Sequence, residues 1–321
     1  MNSRYSILVL ALLLLVSCAK EEMDEQAMFE DFTKAKFTKK ILPEATGFWV
    51  ITSTVEPTNC ITCSKINYID GLGYNSDNGF VGKDRIGTIL DAEISGEHLI
   101  VVSPNEITSY NQSLTKTTLK SATDGEYYKF IAKDTKGILW ILSNKAIFNL
   151  EGELIKLPRD IYCSDFEVNQ DKAFWLASND TVFRIDQTRM AKYQLKDITG
   201  KDSTSGIFSL RIDKNNAVWI NTSNKVFQLK QENWDKASVG SYQGENFKTI
   251  PFMDIDSKGN IWLAERNYQQ YTNLHCFDGS SWKSYKLTPP LETWINDIEA
   301  AEDGYAWLAT YTGLIKVPLI L

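Results

Sequence analysis

Only two histidines, His98 and His275, occur in the 321 residues, so imidazole acid-base chemistry rests on one of them or on neither. No His-Glu-x-x-His run and no Gly-x-Ser-x-Gly turn is present, which leaves no local signature of a zinc hydrolase or an α/β-hydrolase nucleophile. A carboxylate pair able to cleave a glycosidic bond would meet only in space and leaves no spacing to read. Four acids recur at turns: Asp134, Asp213, Asp256 and Asp303. Carboxylates of this kind can hold calcium. An Asp side chain that accepts a hydrogen bond from backbone two residues on explains them without an ion, so neither a metal nor a cofactor is expected. Cys60-Ile-Thr-Cys63 is the one close thiol pair. Ser64 stands where haem attachment needs His, no βαβ pattern surrounds the pair, and the histidines are too distant in sequence to complete a zinc site. In an oxidising compartment a local disulfide is the expectation. Cys163 and Cys276, both in apolar strand contexts, are expected to be buried free thiols. The chain is accordingly expected to bind rather than to catalyse.

Residues suited to binding stand where a regular pattern is interrupted, because a repeating scaffold needs no insertions and recognition usually sits on loops. Residues 56–63 form one insertion and residues 266–272 another. The second supplies Arg266, Tyr268 and Tyr271, and neighbouring connections supply Tyr127, Tyr162, Trp294 and Tyr311. Aromatic faces stack on apolar surfaces while amides satisfy hydroxyl or backbone groups, so a glycan or a peptide is the expected ligand. The ligand-binding set is Tyr268, Tyr271, Trp294, Tyr127, Tyr311 and Arg266. The competing expectation is a scaffold for an envelope protein partner.

The elements that must position these residues repeat along the chain. Units begin at Phe130, Phe166, Leu210, Met253 and Asn296, each with an alternating apolar strand, a polar turn, a strand centred on Trp and a third strand. The anchors Trp49, Ile100, Trp140, Trp175, Trp219, Trp262 and Trp307 are 51, 40, 35, 44, 43 and 45 residues apart, about the length of a four-stranded propeller blade. The fold expected is therefore all-β, a seven-bladed β-propeller over residues 37–321. The anchor tryptophans are expected in the core rather than in a stacking array. Residues 36–42 are expected either to complete the last blade or to form the innermost strand of the first, and residues 26–36 to form a short helix. Asp256-Ser-Lys-Gly259-Asn-Ile-Trp262 and Ala306-Trp-Leu-Ala-Thr-Tyr-Thr-Gly-Leu314 resemble the two-component regulator propeller repeat family. That resemblance implies a sensor role ahead of a membrane-spanning kinase, whereas the expectation for this protein is a propeller without a spanning segment or kinase after it. Streptogramin-lyase-like propellers have similar blades and rely on a His near the central channel, which would make His275 the catalytic residue of the enzymatic alternative.

The N-terminus points to export. Arg4 precedes an apolar run from Ile7 to Val16, about 15 Å as a helix and too short to span a membrane. Leu15-Val-Ser-Cys18 resembles the lipobox of bacterial lipoproteins, which implies removal of residues 1–17 and acylation of Cys18. Residues 18–36, with one basic and six acidic groups by residue 31, are expected to form a lipidated acidic tether. Lys20-Glu21-Glu22 behind the cysteine also resembles a surface-export signal, so an outer-membrane lipoprotein on either the cell-surface or the periplasmic face is expected. No polybasic patch exists, which argues against nucleic acid as a partner.

Overall fold

The computed structural model describes residues 30–32, 38–44, 47–53, 64–70, 88–187, 189–199, 206–223, 225–229, 250, 252–256, 258–267, 270–300 and 305–318. The described strands form seven antiparallel sheets, five with four strands and two with three. Their inner strands, in chain order, are Thr38–Pro43, Asp91–Ser95, Tyr128–Lys133, Asp165–Val168, Ser209–Ile212, Phe252–Ile255 and Ile295–Ala300. A separate apolar cluster fills each junction between successive sheets, and a further one joins the seventh sheet to the first through Ile41, Phe48, Val50, Trp307, Ala309 and Leu314. The anchors Trp49, Trp140, Trp175 and Trp262 are fully buried in these junctions, and Ile100, Trp219 and Trp307 nearly so.

The recurring turn acids explain why each inner hairpin closes as it does. Asp134 Oδ1 accepts the N–H groups of Lys136 and Ile138, and Oδ2 accepts the Trp140 indole N–H at 3.1 Å. Asp213 repeats this with Asn215, Ala217 and Trp219, and Asp256 with Asn260 and Trp262. One carboxylate thus caps the turn and ties it to the anchor tryptophan six residues on. The residue three after the acid takes a positive φ, at Gly137 (81°), Asn216 (66°) and Gly259 (86°), which is the conformational reason for the Asp-x-x-Gly signature. The fourth sheet keeps the geometry with Asn169 as acceptor and Lys172 at φ 55°.

Two expectations about the N-terminal strands are settled by pairing. Thr38–Pro43 is the inner strand of the first sheet, bound to Gly47–Ser53. Glu30–Phe32, which the sequence reading placed in a helix and tether, is instead a strand that pairs with Leu314–Lys316 and supplies the fourth strand of the last sheet. A three-residue strand carries too little periodicity to be seen in sequence; its partner, nearly the whole chain away, defines it. The only helix among the described residues is Leu195–Thr199, and no described helix is long and apolar enough to cross a membrane.

Candidate functional site

The inner strands all start at one face of the molecule, and the turn between a second and third strand returns to that same face. Tyr127, Tyr162, Phe208 and Trp294 each lie in the connection that leads into an inner strand, and Tyr311 lies in the turn after the second strand of the last sheet. These five side chains are exposed. They therefore share one face, opposite the Asp-capped turns.

Arg266, Trp294 and Tyr311 come together there. The strand Ile261–Asn267 carries Arg266 to the rim, where its guanidinium carbon sits 3.4 Å from the centre of the exposed Trp294 ring. The Tyr311 N–H donates to the Trp294 carbonyl at 3.0 Å, and Gln270 Nε2 donates to Glu292 Oε1 at 2.9 Å beside them. Tyr127 belongs to another part of the rim, where its hydroxyl and the Lys129 ammonium both donate to Asp160. The bond to Asp160 holds the Tyr127 hydroxyl above its ordinary pKa, and the two donors outweigh desolvation to hold Asp160 below its own.

Tyr271 is a correction. It is fully buried among Leu274, Leu291 and Ile295, with its pKa raised by that burial, and does not face the rim. Arg266 pairs with Tyr271 and Asn267 with Gln270, so the two strands run on into the insertion. Register shifts at Glu265/Arg266 and at Tyr271/Asn273 break the alternation and turn the tyrosine inward. Tyr268, Cys60, Cys63, Cys18 and Asp303 lie outside the described residues. Cys163 and Cys276 are buried free thiols, each pushed by desolvation up to about 12.

His275 stands in the third strand of the sixth sheet, two strands outward from the inner one, and is buried rather than poised at the axis. Its Nδ1 lies 2.7 Å from Ser284 Oγ and its Nε2 3.4 Å from Glu265 Oε2, while Asn273 Nδ2 donates to Glu265 at 2.7 Å. This chain of contacts crosses three strands and fixes their alignment. His98 is exposed on the second strand of the second sheet.

Sequence reasoning missed the charged lining of the inner strands. Asp91, Asp165 and Asp297 act alike: one oxygen accepts the N–H of the next residue, and the other accepts an N–H from the inner strand of the following sheet. The inter-sheet donors are Ile131 at 3.0 Å, Leu210 at 2.9 Å and Ile41 at 3.4 Å. The three strands share an Asp-x-Glu pattern, Asp91-Ala-Glu93, Asp165-Phe-Glu167 and Asp297-Ile-Glu299, which was the available signal. Arg211 is the main counter-charge, 2.8 Å from Asp165, 3.5 Å from Glu167 and 3.7 Å from Asp254. Lys40 bonds Asp91 at 2.6 Å. One guanidinium shared among several carboxylates does not offset their burial: desolvation pushes Glu167 up to about 8 and Asp297 up to about 6, and raises Glu299 as well.

A cleft of about 530 Å³ opens on the opposite face, between the third and fourth sheets, lined by Trp140, Leu154, Ile155 and Phe174. Lys172 lies over Trp140 and pairs with Glu153 at 2.9 Å, so the aromatic floor is already covered. The exposed aromatic face is the better candidate. No group of three or more His, Cys, Asp or Glu side chains arranged to hold a metal occurs among the described residues.

The architecture is that of an all-β propeller. A streptogramin B lyase superposes with a TM-score of 0.63 at 17% identity, over 90% of this chain and 96% of that one. The extracellular domain of a one-component system protein from B. thetaiotaomicron gives 0.62 at 16%, over 91% of this chain and 40% of that one. YCF48 bound to D1 peptide gives 0.65 at 9%, over 90% and 94%. No family model and no curated protein matches the chain.

Proposed function

We propose that this protein is an extracytoplasmic binding or sensing propeller whose seven sheets are the blades of one closed ring. Its aromatic face, centred on Trp294, Arg266 and Tyr311, receives a glycan or a peptide. The observation that carries this reading is the gathering of five exposed aromatics, Tyr127, Tyr162, Phe208, Trp294 and Tyr311, on one face, with a guanidinium stacked on Trp294. Large exposed aromatics on a soluble surface are unfavourable unless something covers them, and a rim of rings with adjacent amide and carboxylate groups suits a ligand with apolar faces and hydroxyls. Likeness to an extracellular sensor domain supports a place outside the cytoplasm, and likeness to a propeller solved with a peptide supports the peptide form of the ligand. Acylation of Cys18 would hold the propeller at the outer membrane, and the Cys60–Cys63 disulfide would brace the first blade.

Thermal-shift and calorimetric screening of the unlipidated chain against glycan and peptide panels tests the reading. A ligand that raises the melting temperature of the wild type and loses the effect in Trp294→Ala is the expected result. Hits indifferent to Trp294→Ala would remove the rim. Metabolic labelling with a palmitate analogue, lost in Cys18→Ser, tests the anchor.

A further inference from the structure

Arg266 occupies a position that the rim alone does not explain. Its side chain is half-buried, its Nε is sealed from solvent with no hydrogen-bond partner, and no carboxylate forms an ion pair with it among the described residues. Thr293 Oγ1, next to Trp294 in the chain, is a second buried polar atom without a partner. A guanidinium has five N–H donors, and sealing one of them from water without an acceptor is costly. Stacking on Trp294 and, at 5.9 Å, over Tyr271 fixes the plane of the group. Seated against these rings with Nε sealed, the group has its terminal N–H donors left for a carboxylate, the partner that Arg binds through paired hydrogen bonds.

Resting on the reading of this face as the binding site, we infer that Arg266 reads a ligand carboxylate and that the ligand is an acidic saccharide, one whose sugar ring carries that group. The saccharide is favoured because the neighbours suit a ring with hydroxyls. Trp294 and Tyr311 offer exposed aromatic surface, 53% and 46% accessible, for the apolar face of a pyranose. Glu292 and Gln270 offer an acceptor and an amide for hydroxyl groups. A second carboxylate beside an arginine would repel a purely anionic ligand, whereas it can accept from sugar hydroxyls while the guanidinium holds the acid.

Calorimetry of the unlipidated chain with tetramers of galacturonate, glucuronate and mannuronate, each beside its methyl ester, tests the inference. The expected result is binding of at least one uronate tetramer that weakens with added salt, at least tenfold weaker for its ester and at least tenfold weaker in Arg266→Gln, with Arg266→Lys intermediate. Melting temperatures of the ligand-free variants confirm that they fold. If esters bind as well as acids and Arg266→Gln has no effect while Trp294→Ala abolishes binding, the carboxylate assignment fails and the rim stands. Arg266-dependent binding of a peptide with a free carboxylate, without any uronate binding, overturns the saccharide. Silence of all uronates also overturns it.

Discussion

Trp294 and Tyr271, both beside Arg266, show how aromatic residues can serve two ends. Trp294 is exposed, so Trp294→Ala is expected to abolish ligand-induced stabilisation while leaving the melting temperature of the free chain unchanged. Tyr271 is fully buried between the sixth and seventh sheets, and Tyr271→Ala is expected to destabilise by about 3–5 kcal/mol, as for other large buried aromatics. Urea unfolding of both variants separates the roles. The turn acids allow a finer comparison. Asp256→Ala removes the acceptor for the Asn260 N–H and the Trp262 indole at once and is expected to cost about 2–3 kcal/mol. Asp256→Asn keeps the turn acceptor, as Asn169 does in the fourth sheet, and is expected to cost roughly half as much. Equal losses in the two variants would show that the turn bond contributes nothing, and no loss in Asp256→Asn would show the same of the indole bond.

The strand and hairpin are the level at which sequence was read most fully and also misled. Asp-x-x-Gly turns followed by Trp strands were legible because a turn, its capping acid and the anchor all lie within seven residues. The strand Glu30–Phe32 was not, since nothing local defines it and its pairing with Leu314–Lys316 does. Its loss opens the edge of the last sheet. A chain beginning at residue 35 is therefore expected to melt several degrees lower than one beginning at residue 26, by calorimetry, with the difference abolished if the last sheet closes without it. In the sixth sheet the His275 contacts to Ser284 and Glu265 are argued to be structural. Glu265→Ala removes the acceptor of the half-buried Asn273 amide and the carboxylate 3.4 Å from the buried His275 ring, and is expected to cost about 1–3 kcal/mol with ligand affinity retained after correction for stability.

For the molecule as a whole, the inner strands set a pH dependence. Glu167 has an ordinary pKa of 4.5 and a folded one of about 8, and Asp297 rises from 3.8 to about 6, both mainly because burial disfavours the charge. Between those values the folded chain binds more protons than the unfolded one, so stability falls as pH rises through roughly 4 to 8. The melting temperature is expected to be higher at pH 5 than at pH 8.5, and Glu167→Gln to flatten that decline and raise the value at pH 8.5. A profile in which stability instead rises with pH would contradict the assignment. The same lining joins the sheets, since Asp91, Asp165 and Asp297 each accept an N–H from the next inner strand.

Sequence by itself determined the all-β class, the repeat length, the buried fate of the anchor tryptophans and the capped turns, because each follows from contacts between residues close along the chain. Of the candidate site it supplied Trp294, Arg266, Tyr311 and Tyr127 as types worth watching. Only the tertiary structure decided that the first three meet, that Tyr271 turns inward, and that three aspartates bolt one sheet to the next. Arg266 stands on the sixth sheet and Trp294 in the connection to the seventh, and a bulge changes the face of every residue beyond it without altering composition. Contacts of that kind depend on which strands become neighbours around the axis, and that is a property of the assembled sheets rather than of any stretch of the chain.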